Sequence, residues 1–363
     1  MRVVHYLDRV RLELGGVVRA VLDLAGALAR AGDDVVVATF DATDVPDAWR
    51  AGGTGLPRVA TLPTPALPGA WFARSQRGAL REAVAGADVV HVHAMWTPSN
   101  AQVAAVARSM EIPYVLTPHG MLDDWSMAQR RAKKVLYLAL AGRKMLRHAA
   151  AVHCTASAEA QQAGRWFNNR TEVAPVLFDL GPYRTLPGAG ASERAFPMLE
   201  RGAPVALFLS RLHEKKRPQA LIEAASVLRD RGVDVMVAIA GSGEPALEAS
   251  LRGLVERFGL ADRVFLLGMV RGEEKVSLLE RADVFVLPTS QENFGIALVE
   301  AMACATPVVT TKGVDIWPEL AESGGATIIE RADGAAVAGA IEGLLRDGAR
   351  LRAMGDAARA WAL

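Results

Sequence analysis

Short apolar runs recur along the chain, separated by longer stretches in which apolar residues return every three or four positions. Val3 to Leu7, Val35 to Thr39, Val89 to Val92, Tyr114 to Thr117 and Val152 to Thr155 make one series. Val205 to Leu209, Val235 to Ala240, Val264 to Leu267, Val284 to Leu287 and Val308 to Thr310 make a second. Runs that are apolar throughout predict strands covered on both faces, and their alternation with helical segments predicts parallel sheets. The rhythm stops at "GPYRTLPGAGASERAFPMLERGAP", where glycine, proline and charge replace periodicity. The pattern predicts an α/β protein of two doubly wound, Rossmann-like domains facing a central cleft: residues 1–180, a linker over 181–203, and residues 204–363. A chain of 363 residues exceeds what one core usually serves. In such sheets ligands bind beyond the carboxyl ends of the strands, so the candidate residues are those just after each strand.

Composition narrows the chemistry. Lys and Arg total 41 against 40 Asp and Glu, a net charge of +1, which excludes a nucleic-acid binder driven by bulk charge. Two cysteines far apart, Cys154 and Cys304, suggest neither a disulfide framework nor a cysteine-rich metal site and fit a reducing cytoplasm. The opening "MRVVHYLDRV" lacks the apolar core of a signal peptide, and no run is long enough to span a bilayer. Charge is locally uneven at residues 126–153, which hold Arg130, Arg131, Lys133, Lys134, Arg143, Lys144 and Arg147 and no acid. Val135, Leu136, Leu138, Leu140, Met145 and Leu146 are expected to form one buried stripe beneath them. The segment is then either a core-packed helix with a solvated basic face or a contact to the inner face of an anionic membrane.

Four strand-to-helix junctions carry candidate chemistry. Gly15-Gly16 precedes a helix, where free backbone N–H groups suit an anion. "SRLHEKKRP" places Arg211, Lys215, Lys216 and Arg217 before a helix start, where cations are unfavourable unless an anion lies between. "GSGEPA", from Gly241, meets a dinucleotide fingerprint with Asp262 about twenty residues on, but it follows the second strand of its series; a bare glycine turn explains it equally. "TSQENFGIALVEAMACATPVV" sets Glu292 before a helix start and Glu300 inside the helix, so two carboxylates can flank a diphosphate lying against Gly295. In the first series, His119 follows a strand and faces the expected cleft. His5, His91 and His93 lie in or at the ends of apolar strands and read as mostly structural, with an alternative for His93 of reaching the cleft. Asp123-Asp124 is the residual metal candidate.

The stretches "LGGVVRAVLDLAGALA", "DVVHVHAMW", "TPHGMLDDW", "LSRLHEKKRPQALIEAA", "AIAGSGE", "VFLLGMV" and "SQENFGIALVEAMACATPVVTT" together resemble family 4 of the retaining nucleotide-sugar glycosyltransferases, which have the GT-B fold. The resemblance implies that Glu292 holds hydroxyls of the donor sugar, Glu300 the ribose, and Arg211 and Lys216 the diphosphate. Asn293, Phe294, Gly295, Ile296 and Ala297 would serve sugar and phosphates, Met269 and Val270 would flank the base, and Gly241 belongs to the nucleotide-binding set. His119 would sit beside the transferred sugar and Gly16 near the phosphates. Family members carry glycine after the motif lysine, where this chain has Arg217. The implied activity is transfer, with retention, from a UDP- or GDP-sugar to a hydroxyl of a saccharide or lipid-linked saccharide, in bacterial polysaccharide or glycolipid synthesis, with no metal or other cofactor. The rival readings are an NAD-dependent oxidoreductase built on Gly241 to Ala246 and a non-catalytic sugar-nucleotide binder.

Overall fold

The computed structural model describes residues 1–66, 70–200 and 202–363. The chain divides into two compact units, Met1–Asp179 and Leu180–Leu363. In the first, β1 (Arg2–Tyr6), β2 (Asp34–Thr39), β3 (Arg58–Thr61), β4 (Val89–His93), β5 (Tyr114–Thr117), β6 (Ala151–Cys154) and β7 (Thr171–Val173) form one parallel sheet in the order β3-β2-β1-β4-β5-β6-β7. Alternate residues point to opposite faces, so each face builds its own core. Val4, Tyr6, Val90, Val92 and Leu116 pack on one side with Leu80, Val103 and Leu146. Val35 and Val37 pack on the other with Val18, Val21 and Leu22 of the helix Gly16–Arg30.

The second unit repeats the plan. Its strands β8 (Val205–Leu209), β9 (Met236–Ala240), β10 (Val264–Gly268), β11 (Val284–Leu287), β12 (Val308–Thr311) and β13 (Ala326–Ile329) lie in the order β10-β9-β8-β11-β12-β13. β8, β9, β11 and β12 are buried along almost their whole length, as their unbroken apolar runs predict. All ten predicted strands are present. The three that the pattern does not predict, β3, β7 and β13, have three or four residues each and lie at sheet edges, where one-sided pairing asks for no continuous apolar run.

Residues 181–203 are not a free linker. Helices Gly181–Arg184 and Gly190–Ala195 and a 3-10 turn Pro197–Glu200 belong to the second unit; Arg201 lies outside the described residues. Tyr183 donates its hydroxyl to Glu300 at 2.7 Å, the Ser192 N–H donates to Ser277 Oγ at 2.9 Å, and Arg281 donates to the Leu199 carbonyl at 2.8 Å. The glycines and prolines there mark turns and helix starts: Pro182 sits in a first turn and Gly188 has φ +79°. The basic segment also departs from the expected single stripe. Leu138, Met145 and Leu146 are buried, whereas Val135, Leu136 (59% exposed) and Leu140 (76% exposed) face outward among Arg131, Lys133 and Arg143. Leu136 and Leu140 each stand two residues from Leu138, about 200° round a helix, so the six apolar positions do not share one face; a π-helical turn, Leu138–Gly142, lies within the same segment. No helix among the described residues is long and apolar enough to cross a membrane.

Candidate active site

Strand order reverses between β8 and β11, so the loops after these two strands lie side by side with no crossover helix above them. Backbone and side chain stitch them together. The Ser290 N–H donates to the Lys215 carbonyl at 2.8 Å, Thr289 Oγ1 donates to the same carbonyl at 3.0 Å, and Lys215 Nζ donates to Gln291 Oε1 at 3.1 Å. A 3-10 turn, Glu214–Lys216, then turns the Lys216 side chain inward, where its ammonium is ion-paired with Glu292. Lys216 is buried rather than carried on an open loop. Burial, and then the neighbouring Lys215 and Arg211, pull its pKa well below the ordinary lysine value, and the Glu292 carboxylate opposes that pull. Glu292 is fixed through its main chain: its N–H donates to the Gly313 carbonyl at 2.7 Å and its carbonyl accepts from the Asp315 N–H at 2.9 Å.

Asn293 and buried Phe294 lead to Gly295, which caps the helix Ile296–Ala303 with φ +74°. A Cβ on Gly295 would come within 2.9 Å of the Leu298 side chain, so both conformation and space require glycine. Ile296 and Ala297 form the first turn, whose N–H groups have no partner within the helix. Inside the same helix Glu300 is buried; its Oε1 accepts from Tyr183 and is paired with Lys275 Nζ at 2.5 Å. Arg211 is exposed and makes no ion pair among the described residues. The structure thus brings Arg211, Lys216, Glu292 and the Gly295 helix start to one switch point. Glu300, in that helix, is anchored by Tyr183 and Lys275, two residues the sequence reading did not single out. Beyond β10, Met269 is half exposed and Val270 buried.

Gly241 has a structural duty. A Cβ there would lie 1.9 Å from the Ser210 carbonyl oxygen, and its N–H donates to Gly268 O at 2.7 Å. Gly243 stands against Leu212 in the same way. The glycines of the dinucleotide fingerprint therefore let the chain segments after β8 and β9 run in contact, and the Gly241 N–H is already committed.

In the first unit Gly16 opens the helix Gly16–Arg30, preceded by Gly15 at φ +104°. His119 sits after β5 at φ +53°, followed by Gly120 at φ +72°. Buried Glu159 holds this left-handed pair: its Oε1 accepts the Gly120 N–H at 2.5 Å, and its Oε2 accepts from the Thr155 N–H and hydroxyl at 2.6 and 2.9 Å. His119 Nε2 is 3.1 Å from His93 Nδ1, and His93 Nε2 is 3.0 Å from His5 Nδ1. His91 Nε2 meets Thr117 Oγ1 at 2.6 Å, and that oxygen meets His153 Nδ1 at 2.9 Å. Burial pushes His5 down to about 4 and, with His153 beside it, His119 down to about 3; His91 and His93 also lie well below the ordinary histidine range, first from burial and then from neighbouring imidazoles. Read singly, His5, His91 and His93 look mostly structural. Together they are a cluster, and its signal in the sequence is His91-Val92-His93 at strand spacing. Asp123 and Asp124 are structural: Asp123 caps the helix Asp124–Ala128 and Asp124 is paired with Arg165 at 2.7 Å.

The profile of the group 1 glycosyl transferases matches residues 192–361, and that of the glycosyl transferase 4-like domain matches residues 15–177. The chain belongs to the family 4 type of glycosyltransferases. The glycosyltransferase is 28% identical over 306 residues to the D-inositol 3-phosphate glycosyltransferase of Nocardia farcinica, covering 81% of this chain and 66% of that protein. It is likewise 28% identical to the enzyme of that name from Pseudarthrobacter chlorophenolicus, covering 83% of this chain and 74% of the other. The crystal structure of Anabaena HepE in complex with UDP-glucose superposes with a TM-score of 0.80 at 20% identity, over 100% of this chain and 94% of that one, so the glycosyltransferase has the GT-B fold. The departure at Arg217 now has a local meaning. Its φ is +53°, a left-handed conformation that glycine adopts freely and arginine adopts at a cost.

Proposed function

We propose that the glycosyltransferase moves a sugar from a UDP- or GDP-sugar to an acceptor hydroxyl with retention of anomeric configuration. The observation that carries this reading is the Lys216–Glu292 ion pair beside Arg211 and the Gly295-capped helix start. A diphosphate entering there meets Lys216, Arg211 and the free N–H groups of the first turn, and it releases Glu292 from its lysine to accept sugar hydroxyls. Glu300 holds the ribose hydroxyls, Met269 and Val270 flank the base, and His119 and Gly16 contribute contacts to the sugar and phosphates. In the transfer the bond between the anomeric carbon and the phosphate oxygen breaks and the acceptor oxygen bonds to that carbon on the same face. The leaving phosphate takes the acceptor proton. Charge growing on the diphosphate is met by fixed cations and helix N–H groups, so no metal is required for this step.

The complexes of Anabaena HepE support UDP-glucose among the donors to assay, and the names of the two curated relatives support a polyol phosphate among the acceptors, beside saccharides and lipid-linked saccharides of bacterial glycoconjugate synthesis. Thermal shift with UDP and GDP, followed by NMR of the product's anomeric proton, tests the reading. Inversion at the anomeric carbon, or a response to NAD with none to either nucleotide, would refute it. The exposed Val135, Leu136 and Leu140 among Arg130, Arg131, Lys133 and Arg143 support a peripheral contact with anionic membrane at the cytoplasmic face. Lys134 does not serve it, since its Nζ donates to the Ser126 carbonyl at 2.5 Å and lies 5.1 Å over the Trp96 ring. Co-sedimentation with anionic vesicles should fall in the Arg130→Ser, Arg131→Ser, Lys133→Ser variant; equal sedimentation with neutral vesicles removes the membrane from the account.

A further inference from the structure

We propose that His5, His91 and His93 form a binding site for one transition-metal dication of the zinc class, held by three imidazoles. Two histidines separated by one residue on a strand project to the same face, and β1 pairs with β4 in the register His5 to His91, so the third imidazole stands directly beside them. One ring nitrogen from each residue lies within 4.8 Å of the other two. On a tetrahedral zinc ion with bonds of 2.0–2.1 Å, two imidazole nitrogens stand about 3.3 Å apart. His5 Nδ1 and His93 Nε2 are already 3.0 Å apart.

For two of the three rings the surrounding hydrogen bonds have the form that ligating imidazoles require, in which the second ring nitrogen is held from outside. His93 Nδ1 is held by His119 and His91 Nε2 by Thr117. The protons on the second branch can be followed from its end. The Ala174 carbonyl only accepts, so His153 Nε2, 2.9 Å away, donates to it. In the His153 tautomer with its proton on Nε2, Nδ1 accepts the Thr117 hydroxyl proton, the hydroxyl oxygen accepts from His91 Nε2, and His91 Nδ1 keeps its lone pair. His91 is thus fixed in the tautomer that can ligate. The third ring, His5, differs: its Nδ1 faces His93 Nε2 at 3.0 Å, and its Nε2 is buried with no hydrogen-bond partner among the described residues. Three imidazoles with no carboxylate select zinc, cobalt, nickel or copper over magnesium or calcium.

Coordination at His93 Nε2 leaves the proton of that ring on Nδ1, which then donates to His119 Nε2. The ion would in this way fix the ring of His119, a role that rests on the proposed sugar contact of His119; the metal site itself does not. The test uses the full chain, dialysed against chelator and then given Zn²⁺ alone, Co²⁺ alone or Mg²⁺ alone. Binding of about one Zn²⁺ per chain is expected, with a Tm raised by several degrees, a visible absorption band with Co²⁺ and no response to Mg²⁺. His5→Phe and His91→Phe should abolish these effects, whereas His148→Gln and His213→Gln, at the two histidines outside the cluster, should retain them. No binding of Zn²⁺, or binding unchanged in His5→Phe, overturns the proposal. Should the cluster variants fail to fold, X-ray absorption on zinc-loaded wild type decides: a shell of three imidazoles supports the site, and a shell of water and carboxylate oxygen rejects it. Loss of transfer in His119→Ala with zinc binding intact separates the two readings, and unchanged transfer there removes only the sugar contact.

Discussion

Between β1 and β4 the first unit places imidazoles that burial keeps uncharged; between β8 and β11 the second places an ammonium against a carboxylate, with an exposed arginine nearby. Both positions are the reversal point of the same strand order. Topology therefore sets where chemistry can sit, and the residues in and just beyond each strand set what it is. His5, His91 and His93 come from within their strands and are locked by sheet register, whereas Lys216 and Glu292 come from the loops beyond and are locked by main-chain bonds to neighbouring loops. The first arrangement is rigid and neutral. The second holds opposite charges that a ligand must part.

Parting that pair is the largest effect to look for. Lys216→Ala and Glu292→Gln should each lower transfer by roughly 100-fold or more, the scale of losing a charge contact in the transition state. Lys216→Ala should also cost about 3 kcal/mol of stability, because it leaves a largely buried carboxylate alone; denaturant unfolding checks this. Arg211→Ala sharpens the contrast: the side chain is exposed, so the rate should fall by about 100-fold with Tm unchanged. Near-normal turnover in it, at saturating donor, would remove Arg211 from the diphosphate site.

Glu300→Gln should weaken binding of the bare nucleoside diphosphate by about 10-fold, near the loss of one charged hydrogen bond, while Glu292→Gln leaves that binding nearly intact. Calorimetry separates them, and equal losses would mean that the two carboxylates share one role. The histidine cluster predicts a different dependence, on acid. In chelator-treated protein His5 and His119 hold folded pKa values of about 4 and about 3 against 6.5 when unfolded. A base whose pKa is lowered by folding takes up protons in the unfolded state first. Stability is therefore full above pH 6.5 and falls as pH drops from there toward 3, by about 1.4 kcal/mol per pH unit for each such histidine. Urea unfolding at pH 7.5 and 5 should show the loss, and His5→Phe should reduce it. The smallest effect is at Arg217, where glycine should be tolerated or stabilise by up to about 1 kcal/mol, since φ +53° costs arginine and not glycine.

Much of this was legible in sequence because buried parallel strands need unbroken apolar runs, and the nine internal strands and β10 at one edge have them. The helix Ile296–Ala303 was legible for a related reason: Gly295 before it and a small-residue body after it leave few alternatives. What escaped depended on tertiary register. The edge strands β3, β7 and β13 carry no period, residues 181–203 look like a linker until Tyr183 and Ser192 find Glu300 and Ser277, and Leu136 and Leu140 turn outward on either side of buried Leu138. Lys216 and Glu292 lie far apart in sequence, so their pairing could be read only as two separate candidates. The histidine cluster escaped because His5 and His91 become neighbours only through the β1–β4 register.

The central claim is that the switch point of the second unit binds a nucleoside diphosphate through Lys216 and Arg211. Isothermal titration of UDP and of GDP into the wild-type chain and into Lys216→Ala tests it most directly. The account predicts saturable binding of at least one nucleotide by wild type and a loss of about 10-fold or more in the variant, the scale of a charge-assisted contact. Equal affinity in the two proteins, with the variant folded, would contradict it.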